Sequence, residues 1–348
     1  MEKTVRREYA PPMTGREKRS GRWLLATAVN LGAVVVAVVA FGAWKRLDPA
    51  QGATRPTHIE GSITAGFYEQ GVDDVGFIAR ANMHVTAREV MGARVIYDAV
   101  YTTGADHFRV VPAAGKPDRC VLLFGDSFTF GEGVSDGETS AAQIVARSRG
   151  RVAARNFGIG GWGPHQFLAG LLSGRFQRAI GCAPTDAFYL IIPAQIGRVV
   201  GQGQWDKHGP RFRLGPDGRP VRAGNFDGSG WRGWRALIGL DAVPGMEEAD
   251  LAAALVVAGA TELGRRYPGL RVHVLVWNTD PTFPAGIMAR AEHGMTAAGL
   301  DVQSMAKVIP RFAEVWPDYV IDPGVEWHPN ARAYERIADF ILREVARD

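Results

Sequence analysis

Cysteine is scarce in this chain: Cys120 and Cys182 are the two among 348 residues. One intramolecular disulfide is the most they can form, which excludes a small scaffold held by several. Each directly precedes an apolar run that reads as a strand, VLLFGDS and AFYLIIP. If those strands are parallel neighbours, the thiols meet at their starts, and one disulfide fits an oxidising compartment. Two free buried thiols are the alternative. Internal repeats and low-complexity tracts are also missing, so a solenoid is excluded.

A basic body is missing too. The formal charge of +4 comes from residues 1–46, with nine Lys/Arg against Glu2, Glu8 and Glu17, while the rest holds 31 basic and 33 acidic residues. A nucleic-acid footprint needs its charge on the folded domain, so nucleic acid is not an expected partner.

Charge is absent altogether from WLLATAVNLGAVVVAVVAFGAW, residues 23–44. As a helix this run would span roughly 33 Å, enough to cross a bilayer. Trp23 and Trp44 sit where an interfacial aromatic belt would place them, and the basic flank before the run puts the N-terminus in the cytoplasm. A cleaved signal peptide has a shorter apolar core, of about 7–15 residues. The expected organisation is a basic cytoplasmic tail over 1–22 and a transmembrane anchor over 23–44. A linker and β-rich segment follow over 45–117, then a main extracytoplasmic, periplasmic domain over 118–348 with an insertion at about 200–240.

From Cys120 onward the pattern alternates strand and helix. VLLFGD, VAARNFGIG, AFYLIIP, RVHVLVWNT and a weaker DVQSM read as strands, and PNARAYERIADFILREVA reads as a closing helix with Pro329 in its first turn. Short apolar strands between helices argue for a parallel sheet covered on both faces. The insertion carries a hairpin around Pro216-Asp217-Gly218, flanked by Trp205, Trp231 and Trp234.

The first strand ends in Gly125-Asp126-Ser127, which puts the serine at the carboxyl edge of the sheet, where open α/β folds bind ligands. Alone, this segment is equally a turn and a helix cap. Asp126 reads as fixing the turn, and His165 as capping or packing. Two more segments fall on the same rim: NFGIGGWG from Asn156, whose glycines let a backbone N–H approach a reacting oxygen, and HPN from His328. A nucleophile needs a base within reach and donors for the oxyanion, and this rim supplies the residue types for both.

GDSFTFGEG, NFGIGGWG and HPN, in this order and spacing, resemble blocks one, two and five of the SGNH (GDSL-type) hydrolase superfamily. The resemblance covers residues 118–348. It implies a flavodoxin-like three-layer α/β/α sandwich with a central parallel sheet, ester or acetyl chemistry, and no metal or organic cofactor. Carried over by motif, Ser127 is the nucleophile and its N–H the first oxyanion donor, Gly161 the second donor, and His328 the general base. The stretch YTTGADHFR, Tyr101 to Arg109, resembles one found upstream of the domain in some envelope members, and is expected to brace the N-terminal segment.

Two positions depart from the family's pattern. The third block usually supplies an asparagine donor, and here the stretch reads PAQIGR, so Gln195 becomes the candidate. The acid that orients the histidine usually lies three residues before it, where this chain has Val325. Glu326 and Asp322 are the candidates, with Glu326 favoured by position. Arg198 is a candidate for holding an anionic or polyol substrate, with a structural ion pair as its other reading.

The expected function is therefore a serine esterase acting on O-acyl, chiefly acetyl, esters of an extracytoplasmic glycan or lipid. An O-acetyltransferase associated with envelope polysaccharide machinery would use the same residues. A glycan-binding scaffold that kept the fold is the reading from a different class.

Overall fold

The computed structural model describes residues 56–203, 205–227, 244–278 and 283–347. The apolar run over 23–44 lies outside them, as do Trp231 and Trp234. Among the described residues no helix is long and apolar enough to cross a membrane.

A mixed α/β fold is built on a central parallel sheet of five strands. Five strands precede it: β1 (His58–Glu60), β2 (Tyr68–Val72), β3 (Gly76–Ala79), β4 (His84–Met91) and β5 (Arg94–Thr102). The central sheet consists of β6 (Arg119–Gly125), β7 (Val152–Gly158), β8 (Asp186–Ile191), β11 (Arg271–Val276) and β12 (Asp301–Ser304). Between β8 and β11 lies the insertion hairpin, β9 (Pro210–Leu214) with β10 (Pro220–Asn225). The sheet runs β12-β11-β8-β6-β7, all parallel. Counted within this sheet alone the order is 2-1-3-4-5, which flavodoxin-like sheets share.

Strands β6 and β8 are buried almost end to end because both faces are covered. Leu122 and Phe124 of β6 enter one core, and Val121 and Leu123 enter the other. Helix α1 (Ser127–Phe130) follows β6 directly, and α2 (Ser140–Arg147) leads into β7. Helices α3 (Pro164–Leu172), α4 (Ala194–Arg198), α5 (Met246–Arg266) and α6 (Ala285–Ala297) follow in the chain. The first core takes Phe167 and Leu168 from α3, Leu255 and Val256 from α5, and Met288 from α6. The second takes Ile144 from α2, and Ile337 and Ile341 from the closing helix α7 (Ala331–Val345).

Cys120 and Cys182 form a disulfide with their Cα atoms 6.2 Å apart. It joins the start of β6 to the segment entering β8, its neighbour in the sheet.

The N-terminal β segment is tied to the serine turn by one arginine. The Arg109 side chain is fully buried and donates to Asp136 Oδ1 at 3.0 Å. It also donates to the carbonyls of Phe130, Gly131 and Val134 at 2.9, 2.6 and 2.7 Å, and to Val100 O at 3.0 Å. Tyr101 accepts from the Gly133 amide at 2.7 Å, so the YTTGADHFR stretch grips the loop that follows α1.

Before α7 the chain forms a tight antiparallel pair, β13 (Val320–Asp322) with β14 (Glu326–Pro329). Pro329 is thus the end of a strand, against the expectation that it opens the helix. Asn330 caps α7 instead, accepting from the Ala333 amide at 3.1 Å, and its Nδ2 ties the cap to Val320 O at 2.9 Å.

Candidate active site

Strand β6 ends at Gly125, whose φ is +153° and whose place would set a Cβ 2.3 Å from Thr129 Oγ1. Only glycine fits that turn. Asp126 then caps α1, accepting from the Phe128 amide at 3.1 Å. Ser127 is therefore the first helical residue, and its own N–H has no helical carbonyl to bond.

Strand β14 supplies the partners. Residues two apart on a strand share a face, so Glu326 and His328 point the same way. His328 Nε2 lies 2.7 Å from Ser127 Oγ. His328 Nδ1 is hydrogen-bonded to Glu326 Oε1, which also accepts from the His328 amide at 3.0 Å. An acceptor at Nδ1 holds the proton on that nitrogen, leaving Nε2 as the base facing the serine hydroxyl. The Phe128 ring packs against the imidazole at 5.0 Å between centroids.

The glycine turn after β7 completes the rim. Asn156 Nδ2 donates to Thr129 O at 3.0 Å, and its Oδ1 accepts from the Gly158 amide at 3.0 Å. Gly161 has φ +83°, and a Cβ there would fall 2.3 Å from Trp205 Nε1. That indole donates to Gly161 O at 3.1 Å. Arg198 Nη1 bonds Asp126 Oδ2 at 2.6 Å and Trp162 O at 2.8 Å, fastening the serine turn to the glycine turn.

Carboxylates dominate the electrostatics around His328. Burial alone would lower the imidazole's pKa, but Glu132, Glu326 and Asp126 outweigh it and raise it to about 9. Glu132 Oε2 stands 3.6 Å from His328 Nε2. Burial pushes the Glu132 carboxyl above its usual range, against the pull of His328. Burial pushes Glu326 the same way, but its bonds from His328 prevail and hold it below the usual range.

No family model and no curated protein matches the chain. Solved structures overlap part of it. A member of the lipolytic protein G-D-S-L family from Veillonella parvula is 13% identical, covering 66% of this chain and 100% of its own, at a TM-score of 0.41. The psychrotrophic esterase EstA from a Pseudoalteromonas species is 12% identical, covering 66% and 97%, at 0.39. An acetylxylan esterase from Geobacillus stearothermophilus is 13% identical, covering 69% and 98%, also at 0.39. Likeness at this level assigns no chemistry to this chain.

The structure brings Ser127, His328 and Glu326 together and sets other candidates apart. Gln195 is fully buried, with its Nε2 donating to Leu190 O at 3.1 Å and its Oε1 accepting from Tyr189 Oη at 2.8 Å. Its amide is spent in the core, which corrects the expectation that it replaces the asparagine donor. Asp322 pairs with Arg94 and accepts from the Gly324 amide at 3.2 Å. It braces the β13–β14 turn, while the contact with the imidazole belongs to Glu326. Arg198 has its Nη1 engaged in the Asp126 ion pair, the structural one of its two readings. His165 is fully buried against Asp206 Oδ2 at 2.9 Å. Among the described residues no group of three or more His, Cys, Asp or Glu side chains is placed to hold a metal ion.

Two acidic residues were missed by reading the sequence. Glu132 lies inside GDSFTFGEG itself, and its only signal is an acid between two glycines just past the serine. Glu89 is 6% exposed in β4, where Val85 and Ala87 face inward before it. A glutamate on the inward phase of an alternating strand is the signal that would have found it.

Proposed function

We propose that the chain is a serine ester hydrolase of the SGNH type, a flavodoxin-like α/β/α sandwich anchored by residues 23–44 with its main domain outside the cytoplasm. Its substrates are O-acyl, chiefly acetyl, esters of an envelope glycan or lipid. One observation carries the reading: Ser127 Oγ sits 2.7 Å from His328 Nε2, and Glu326 holds the other ring nitrogen. In this reading Ser127 Oγ attacks the acyl carbon while His328 Nε2 takes its proton. The amides of Ser127 and Gly161 receive the oxyanion. Collapse breaks the ester C–O bond, and His328 returns the proton to the leaving alkoxide. Water then attacks the acyl-serine, with His328 again as base, releasing the carboxylic acid and restoring the hydroxyl.

A scaffold that merely kept the fold would have no need of the Ser127–His328–Glu326 contacts. The test is turnover of 4-nitrophenyl acetate by the full-length chain and by Ser127→Ala, together with fluorophosphonate labelling. Loss of at least about 10³-fold in kcat and loss of labelling are expected in the variant. Equal rates in the two proteins defeat the assignment.

A further inference from the structure

His328 fixes where the leaving side of an ester has to lie. The oxygen that takes the proton back from Nε2 must come within about 3.2 Å of it. Glu132 Oε2 stands 3.6 Å from the same nitrogen, so the two oxygens are no more than about 7 Å apart. The Glu132 carboxyl also reaches the glycine turn: a Cβ at Gly160 would fall 3.5 Å from Glu132 Oε2 and 2.5 Å from Tyr68 Oη. It thus spans from the base to the turn that carries Gly161. Its side chain is 34% exposed, which leaves a bound ester room to touch it.

Other carboxylates at the site are answered by fixed partners. Asp126 Oδ2 pairs with Arg198 at 2.6 Å, and Glu326 accepts from Nδ1 and from the backbone amide of His328. Among the described residues, the one ion-pair partner of Glu132 is the imidazole itself. That partner is a cation only while Nε2 holds a proton. The ring that can take the serine proton is neutral, and in that state Glu132 has lost its counter-charge. A cation on the substrate would restore it, and by competing for Glu132 would also favour the neutral ring.

We propose that Glu132 is a specificity-determining residue: its carboxylate selects esters whose leaving alcohol carries a cationic amine close to the ester oxygen. A neutral alcohol leaves the carboxylate unanswered, and an anionic one is repelled. Burial would lower the His328 pKa, yet Glu132, Glu326 and Asp126 hold it at about 9. A cation beside Glu132 cancels the first of these three. By reciprocity, the amine binds more tightly as the ring loses its proton.

This assignment deepens the esterase reading and rests on it, so one readout lies outside turnover. The substrates are acetylcholine and 3,3-dimethylbutyl acetate, a neutral ester of nearly the same shape, given to the full-length chain and to Glu132→Gln. The kcat/KM ratio of the cationic over the neutral ester is expected to fall by about tenfold from parent to variant at low salt, the scale of a partly screened charge pair. Comparing the ratio between the two proteins cancels the intrinsic reactivity of the esters. The kcat limb, which reports the bound complex, should lie at lower pH for acetylcholine than for the neutral ester in the parent alone. Without any turnover, choline should lower the pKa of the His328 ring followed by proton NMR in the parent, and leave it in place in Glu132→Gln. Inhibition by a glucosamine trimer rather than by phosphatidylethanolamine vesicles would place the amine on a glycan, and the reverse on a lipid. A ratio unchanged by the substitution, or a His328 titration in the parent that ignores choline, overturns the role of Glu132. A parent protein that neither turns over nor labels defeats the esterase reading instead, and the choline titration still reports on Glu132.

Discussion

Glu132 Oε2 and Glu326 Oε1 address opposite nitrogens of one imidazole, Glu132 at 3.6 Å from Nε2 and Glu326 bonded to Nδ1. Both favour the charged ring, which raises the His328 pKa to about 9. Only the neutral ring can take the serine proton, so kcat/KM should climb about tenfold per pH unit up to that value and then level off. Glu132→Gln removes one negative charge beside Nε2 and should move the limb to lower pH. A pH–rate profile of both proteins checks this, and an unchanged limb in the variant would show that Glu132 does not face the base. The same shift bears on stability. A histidine whose folded pKa exceeds its unfolded value of about 6.5 stabilises the fold fully below that value and loses the contribution as pH rises through 9.

The sheet was legible because its inner strands carry apolar runs ending in turn residues, as parallel burial on both faces requires, while the edge strand β12, DVQS, shows the pattern only weakly. Ser127 and His328 were legible by motif. Glu326 was favoured by its position in the motif alone; the strand period that puts it on the face of His328 emerges only with β14. The side-chain direction of Gln195 was not, since a short helix at the sheet edge leaves its amide free to turn toward Leu190 O and Tyr189 Oη. Helix α6 was missed because Gly286 and Gly294 dilute its pattern, although Met288, Ala291 and Met295 make its buried stripe. Glu89 shows the limit most clearly. Its inward phase is visible in HVTAREVM, but nothing in that octet tells what a buried carboxyl at this position faces.

The disulfide closes a loop with a sequence separation of 62. By loop entropy its loss should cost about 4 kcal/mol. Cys182→Ser, or reduction of the parent, should lower the denaturation midpoint accordingly. Alkylation of the native chain followed by mass measurement should find no free thiol, and two modified cysteines would remove the bond from the folded protein.

Arg109 is the residue on which the coupling between the N-terminal segment and the serine turn depends. Its guanidinium reaches four carbonyls and Asp136 from a fully buried position. Planar forked donation of this kind is beyond a lysine, which brings three donors from a single nitrogen. Arg109→Ala leaves buried carbonyls without donors and Asp136 without its partner, and should destabilise the protein by about 3–5 kcal/mol in urea unfolding. Arg109→Lys should recover only part of that loss. Because the carbonyls of Phe130 and Gly131 end the helix that begins with Ser127, both variants should also slow fluorophosphonate labelling of the molecules that remain folded. Labelling at the parent rate would show that the grip serves stability alone.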